Sequence, residues 1–183
     1  MAPSPTTIAI HALNVLIGVL SIAILALVAR SVSLTDSPSS VLPNNVRGTG
    51  RGLLFWPGCG GIVDMLLFTF LWIKTPEKHE QTKKRHWLLN AQVFVACFIF
   101  GRPLIVLIYT VVEYNTASKL RLPLSAGNWT IETWSCAYSD HVVSGNPESV
   151  CKELRTARYL LVPEVVLGAS LLGVVLWSRF PAC

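Results

Sequence analysis

Apolar positions along this chain gather into four runs, residues 8–29, 53–73, 87–112 and 159–177, with polar segments between them. At about 1.5 Å of rise per residue, roughly 20 helical residues cross a hydrocarbon layer of about 30 Å. Inside lipid a segment must satisfy its own backbone hydrogen bonds, which favours helices for runs of this kind. The pattern therefore predicts an all-α protein, a four-helix transmembrane bundle forming one integral membrane domain over residues 1–183. Residues 1–7 carry no basic side chain, and the first run exceeds the roughly 7–15 apolar residues of a signal peptide, so it reads as a retained anchor.

Composition agrees and charge adds an orientation. Only 14% of residues are charged, against about 25% in soluble domains. The basic residues are uneven: residues 74–86 hold five of the fifteen lysines and arginines. Beside two spans, such a cluster predicts an inner loop facing anionic lipid rather than a nucleic-acid patch. Both termini then lie in the cytoplasm, with outer loops at about 30–52 and 113–158. Arg30, directly after the first run, argues the other way.

The last loop supports the first orientation. It contains the sequon Asn128-Trp129-Thr130, which makes Asn128 a glycosylation candidate, and the cysteines Cys136 and Cys151. Two cysteines in one long polar loop predict a disulfide in an oxidising compartment, with free thiols as the alternative. This places the protein in the plasma membrane or the secretory pathway. Trp129, Ile131 and Trp134 alternate ahead of Cys136, and residues 148–157 have helical composition. A small disulfide-tied cap and an outward extension of the fourth helix are expected. Cys59 and Cys97, within spans, read as small packing residues, and Cys183 ends the chain on the cytoplasmic side.

Ionisable residues inside apolar runs are costly and normally paired or functional. Asp64, Arg102 and Glu164 are the three Asp, Glu, Lys or Arg residues inside the runs, at comparable depths of roughly 9–17 Å from the outer boundary. Depth matching predicts that Arg102 bridges both carboxylates, as an ion-pair lock or as a proton- or ligand-handling site. Pro103 beside it frees the carbonyl of Ile99. A second polar set, His11, Asn14, Asn90 and Gln92, lies toward the other side and suits interhelical hydrogen bonds. A bis-histidine haem using His11 and His86 is a weaker account, since each has a solvated alternative. Trp56 with Trp72, Tyr159 with Trp177, and Trp87 with Tyr109 and Tyr114 have the spacing of interfacial belts. Gly58, Gly60, Gly61 and Gly101, and the pair Ala169 and Gly173, are expected at close helix contacts, the last within the bundle or between copies.

No phosphate-binding glycine loop, zinc-binding helix, serine elbow or Cys-x-x-Cys occurs. No catalytic residue, cofactor or metal site is predicted. Four spans, short cytoplasmic tails, a basic inner loop and a longer disulfide-bearing outer loop resemble MARVEL-type and related tetraspan membrane proteins. The chain lacks the Cys-Cys-Gly of tetraspanins, and its Trp134, Cys136 and Cys151 lie in the second outer loop, whereas claudins place theirs in the first. The resemblance implies a role in membrane organisation or partner trafficking. The expected function is thus a membrane-organising scaffold or accessory subunit, with a membrane protein partner or a second copy of itself. A small membrane-embedded enzyme or transporter subunit using Asp64, Arg102 and Glu164 is the alternative.

Overall fold

The computed structural model describes residues 5–35, 46–47, 49–74, 82–118, 129–138 and 147–178. Helices α1 (Pro5–Thr35), α2 (Thr49–Lys74) and α3 (Thr82–Ser118) are followed by a short α4 (Ile131–Tyr138) and a long α5 (Pro147–Trp177). Two-residue strands β1 (Val46–Arg47) and β2 (Trp129–Thr130) precede α2 and α4. The segments Thr6–Thr35, Gly52–Lys74, His86–Thr116 and Pro147–Trp177 are long and apolar enough to cross a membrane. The helices continue beyond the apolar runs into polar sequence. At the start of α5, for example, Lys152 and Glu148 form a 2.6 Å pair one turn apart.

Each long helix buries one seam. On α1 it runs Ile10, Asn14, Ile17, Ser21, Ile24, Val28 and Ser31; on α5 it runs Val150, Leu154, Ala157, Leu161, Glu164, Gly168, Leu171 and Val175. The alternating steps of four and three are the seven-residue repeat of left-handed helix bundles. On α3 the same repeat carries Gln92, Ala96, Ile99, Pro103, Val106 and Thr110. On α2 the seam runs Leu54, Pro57, Gly61, Asp64, Phe68 and Leu71 in the same alternation, which sets Asp64 in line with the apolar positions on either side of it. The helices form a ring: α1 packs on α2 and α5, and α3 packs on the same two. Every neighbouring pair is antiparallel.

The apolar interior divides in two. One cluster gathers Ile10, Ile17, Phe68, Ile99, Leu171 and their neighbours. The other gathers Ile24, Val28, Leu54, Val106, Leu161 and Ile131 of α4. On each of the four long helices, the interval between the clusters holds the glycines or polar residues described below. Glycines permit the approach at two of the helix contacts. A Cβ on Gly58 would stand 3.1–3.3 Å from the Leu25 backbone and Cβ, and one on Gly168 would stand 3.1 Å from Phe100 Cα and 3.2 Å from the Ile99 carbonyl. That carbonyl is the one Pro103 frees, so α5 covers it with the one residue slim enough to reach it.

At one end, β1 and β2 pair in parallel, Val46 with Trp129 and Arg47 with Thr130, so the α1–α2 and α3–α4 connections meet there. Thr130 ends β2 and caps α4: its hydroxyl accepts from Thr133 N–H, and the Thr133 hydroxyl accepts from Thr130 N–H, both at 3.1 Å. This is a reciprocal capping box. The Cys136–Cys151 disulfide ties α4 to the first turn and a half of α5. Closing about 15 residues contributes on the order of 3 kcal/mol in the chain-entropy model.

Several expectations change. Helix runs into both ends of residues 30–52, since α1 persists to Thr35 and α2 begins at Thr49. Cys59 and Cys97 are free thiols on the outer surface rather than packing residues, because they fall off the seams. Gly101 and Gly173 face open space, and Ala169 is exposed, so none of them serves a contact within the bundle. Residues 75–81, within the connection expected on the inner side, and Cys183 lie outside the described residues.

These contacts predict a contrast measurable by thermal unfolding in detergent. Gly168→Leu meets rigid backbone and is expected to cost about 1–3 kcal/mol, the usual range for overpacking. Gly173→Leu, with nothing within 4 Å of its Cβ, is expected to leave the transition unchanged.

Candidate functional site

Between the two apolar clusters lies a polar layer with members from all four long helices. Arg102 Nη1 of α3 stands 3.1 Å from Asp64 Oδ2 of α2. The contact is an ion pair by distance, without hydrogen-bond alignment: neither atom has a hydrogen-bonding partner. Asp64 is buried and Arg102 nearly so, and the guanidinium also lies over the rings of Trp56 (5.4 Å) and Phe98 (5.9 Å). Trp56, expected as an interfacial anchor, thus also shields a charge in the layer. Stacking against aromatic faces suits a planar, weakly hydrated cation.

Glu164 of α5 behaves differently from expectation. It is 1% exposed, and its Oε1 lies 2.7 Å from Ser21 Oγ of α1. No ion pair joins it to Arg102 within 4.0 Å. The layer is therefore two cross-helix contacts, Asp64 with Arg102 and Ser21 with Glu164, in place of a single bridge. Gly60 and Gly61 make both possible. A Cβ on Gly60 would collide with the Arg102 guanidinium, and one on Gly61 would collide with Ser21 Oγ and stand 3.3 Å from Glu164 Oε1. Ser21 carries no signal in an apolar run. Its seam position, seven residues from both Asn14 and Val28, is the one feature of the sequence that marks it.

The second polar set separates. Asn14 Nδ2 donates to Thr69 Oγ1 (2.9 Å) and to the Met65 carbonyl (3.2 Å), joining α1 to α2. His11 meets the edge of Trp72 at 5.6 Å. Gln92 is buried on α3, Asn90 is exposed, and each has a partner. Among the described residues, no three histidine, cysteine, aspartate or glutamate side chains form a group able to hold a metal ion.

A third cluster fastens the cap. Arg158 Nη2 of α5 pairs with Glu132 Oε1 of α4 at 3.0 Å, and its guanidinium stacks 4.0 Å from the Tyr114 ring of α3. One buried arginine thereby links three helices. Burial pushes the Glu132 carboxyl above its usual range; Arg158 and then Arg155 oppose that, and Glu113 adds to it. Arg30 also finds a partner in this region, Glu153 at 2.9 Å. The basic residue that argued against the predicted orientation is thus engaged by an acid on α5. Asn128 lies outside the described residues, but Thr130, third in its sequon, is buried and capped onto α4.

Compared with known families, the chain matches no family model, and no curated protein and no solved structure matches it. The fold itself defines the class: an all-α, multi-pass membrane protein with four candidate spans and a disulfide between α4 and α5.

Removing one partner of a buried pair is far costlier than removing both. Asp64→Asn is expected to lower the stability of the detergent-solubilised protein by about 3–5 kcal/mol. The double variant Asp64→Leu, Arg102→Met is expected to be neutral or stabilising in the same thermal assay.

The Glu132 carboxyl binds its proton more tightly when folded than when unfolded. Its contribution to stability is therefore present below the ordinary carboxylate range and is lost as pH rises through the folded value. Amide hydrogen exchange of α4 across mildly acidic pH checks the sign. Glu132→Gln is expected to flatten the dependence, and greater cap exchange at lower pH in the wild type would contradict it.

Proposed function

We propose that this protein is a membrane-organising scaffold or accessory subunit of the plasma membrane or secretory pathway. One observation carries the reading: interior polar side chains are spent on joining neighbouring helices. Asp64 with Arg102 joins α2 to α3, Ser21 with Glu164 joins α1 to α5, and Asn14 with Thr69 joins α1 to α2. Large apolar residues such as Val19, Leu66, Phe94, Ile105 and Val166 are turned outward, available to lipid and to the helices of a partner. In this reading the cap and Asn128 face the extracytoplasmic side, Asn128 carries a glycan, and both termini are cytoplasmic. The architectural resemblance to MARVEL-type tetraspan proteins points to the same role.

A second reading, a membrane-embedded enzyme or transporter subunit, draws on the buried atoms left without a hydrogen bond: Glu164 Oε2, and Arg102 Nε and Nη1. Affinity purification in mild detergent, with mass spectrometry of co-purifying protein and lipid, separates the two. A scaffold is expected to retain a stoichiometric protein partner, and to keep it when Asp64, Arg102 and Glu164 are replaced together by apolar residues of similar volume. A tightly held small molecule without protein, lost on Asp64→Asn while the fold survives, would favour the second reading.

A further inference from the structure

The hydrogens around Ser21 can be counted. Its hydroxyl has one hydrogen, yet its Oγ stands within hydrogen-bond distance of two acceptors, the Ile17 carbonyl at 3.0 Å and Glu164 Oε1 at 2.7 Å. A serine within a helix commonly donates to the carbonyl four residues earlier, and Ile17 is that residue. If Ser21 does so here, nothing donates to Glu164 Oε1, and Glu164 Oε2 has no hydrogen-bonding partner either. A carboxylate 1% exposed, with no donor on either oxygen and no ion pair, would be an uncompensated buried charge, which proteins avoid.

One additional hydrogen resolves the count. We propose that Glu164 and Ser21 form a buried proton-binding site, with Glu164 a neutral carboxylic acid donating to Ser21 Oγ while Ser21 donates to the Ile17 carbonyl. The 2.7 Å separation is ordinary for a hydroxyl donating to an oxygen. The surroundings agree. From α2 the layer receives Asp64, and from α3 Arg102, which pair with each other. From α1 it receives Ser21; the ionisable residues of that helix, His11 and Arg30, lie ten and nine residues away. With the proton on Glu164, the charges of the layer sum to zero. Gly61, whose Cβ would fill the space around Ser21 Oγ and Glu164 Oε1, keeps the site open.

Infrared spectroscopy of the full chain in phosphatidylcholine vesicles at neutral pH tests the assignment. The expected result is a protonated-carboxyl C=O band that disappears in Glu164→Gln, persists in Asp64→Asn, and shifts in Ser21→Ala, where its hydrogen-bond acceptor is gone. Absence of the band in the wild type overturns the proposal. So does a band that survives Glu164→Gln and disappears in Asp64→Asn, which would place the proton on Asp64. If Glu164→Gln fails to fold, carbon-13 labelling of the glutamate side-chain carboxyls replaces it. A band insensitive to that label, or unmoved by Ser21→Ala, overturns the proposal equally.

Discussion

An arginine and an aspartate inside an apolar bundle constrain everything packed around them. Isolated in such surroundings, either charge would cost several kcal/mol. Held 3.1 Å apart by α2 and α3, they become tolerable to each other. That tolerance requires register: Asp64 must face inward, which its place in the seven-residue repeat of α2 achieves, and Arg102 must reach across a neighbour with no side chain in the way. Gly60 provides the gap. The apolar clusters on either side of the layer can form only in helix positions that satisfy the pair. Hydrophobic packing fills the bundle, and the ion pair fixes which residues stand level.

Small residues then set how closely the helices sit. Lipid tails give no hydrophobic drive between helices, so close packing and polar contacts must hold the bundle. Gly58 admits Leu25 of α1, Gly61 admits Ser21, and Gly168 admits the backbone of α3. The last contact matches a proline to a glycine on the next helix: the carbonyl stripped of its donor by Pro103 is covered by the residue without a side chain. At the α4 end of the bundle the logic changes to that of a soluble protein, with a capping box, a disulfide and a stacked arginine holding α4 against α5.

The sequence made the helices legible because a run of about 20 apolar residues has few other uses. The disulfide was legible because two cysteines shared one polar loop. Pairing was harder to read. Depth alone matches Arg102 with both Asp64 and Glu164, and depth cannot say which faces are apposed. The partner that Glu164 acquired, Ser21, is a small residue in an apolar run with nothing local to distinguish it. Only the seven-residue spacing of Asn14, Ser21 and Val28 carries that information, and it becomes interpretable once the seam is known. The same spacing explains why Cys59 and Gly173 face outward: residue size suggested packing, and helical phase decided otherwise. Arg30 shows a comparable limit, since a flank charge reads as a topology signal until Glu153 is found beside it.

The ring has an implication for how the chain is made. α1, α2 and α3 adjoin in the order in which they are synthesised, but α1 and α3 have no direct contact of consequence. Both depend on α5, which carries Glu164 to Ser21 on one side and Gly168 to the Ile99 carbonyl on the other. Until α5 enters, Ser21 faces no acid and the Ile99 carbonyl is bare. The nascent protein is then an open row of three helices with two polar sites on its inner side. During that interval both sites stand open to lipid or to a wrong neighbouring helix, and the arrival of α5 closes them off.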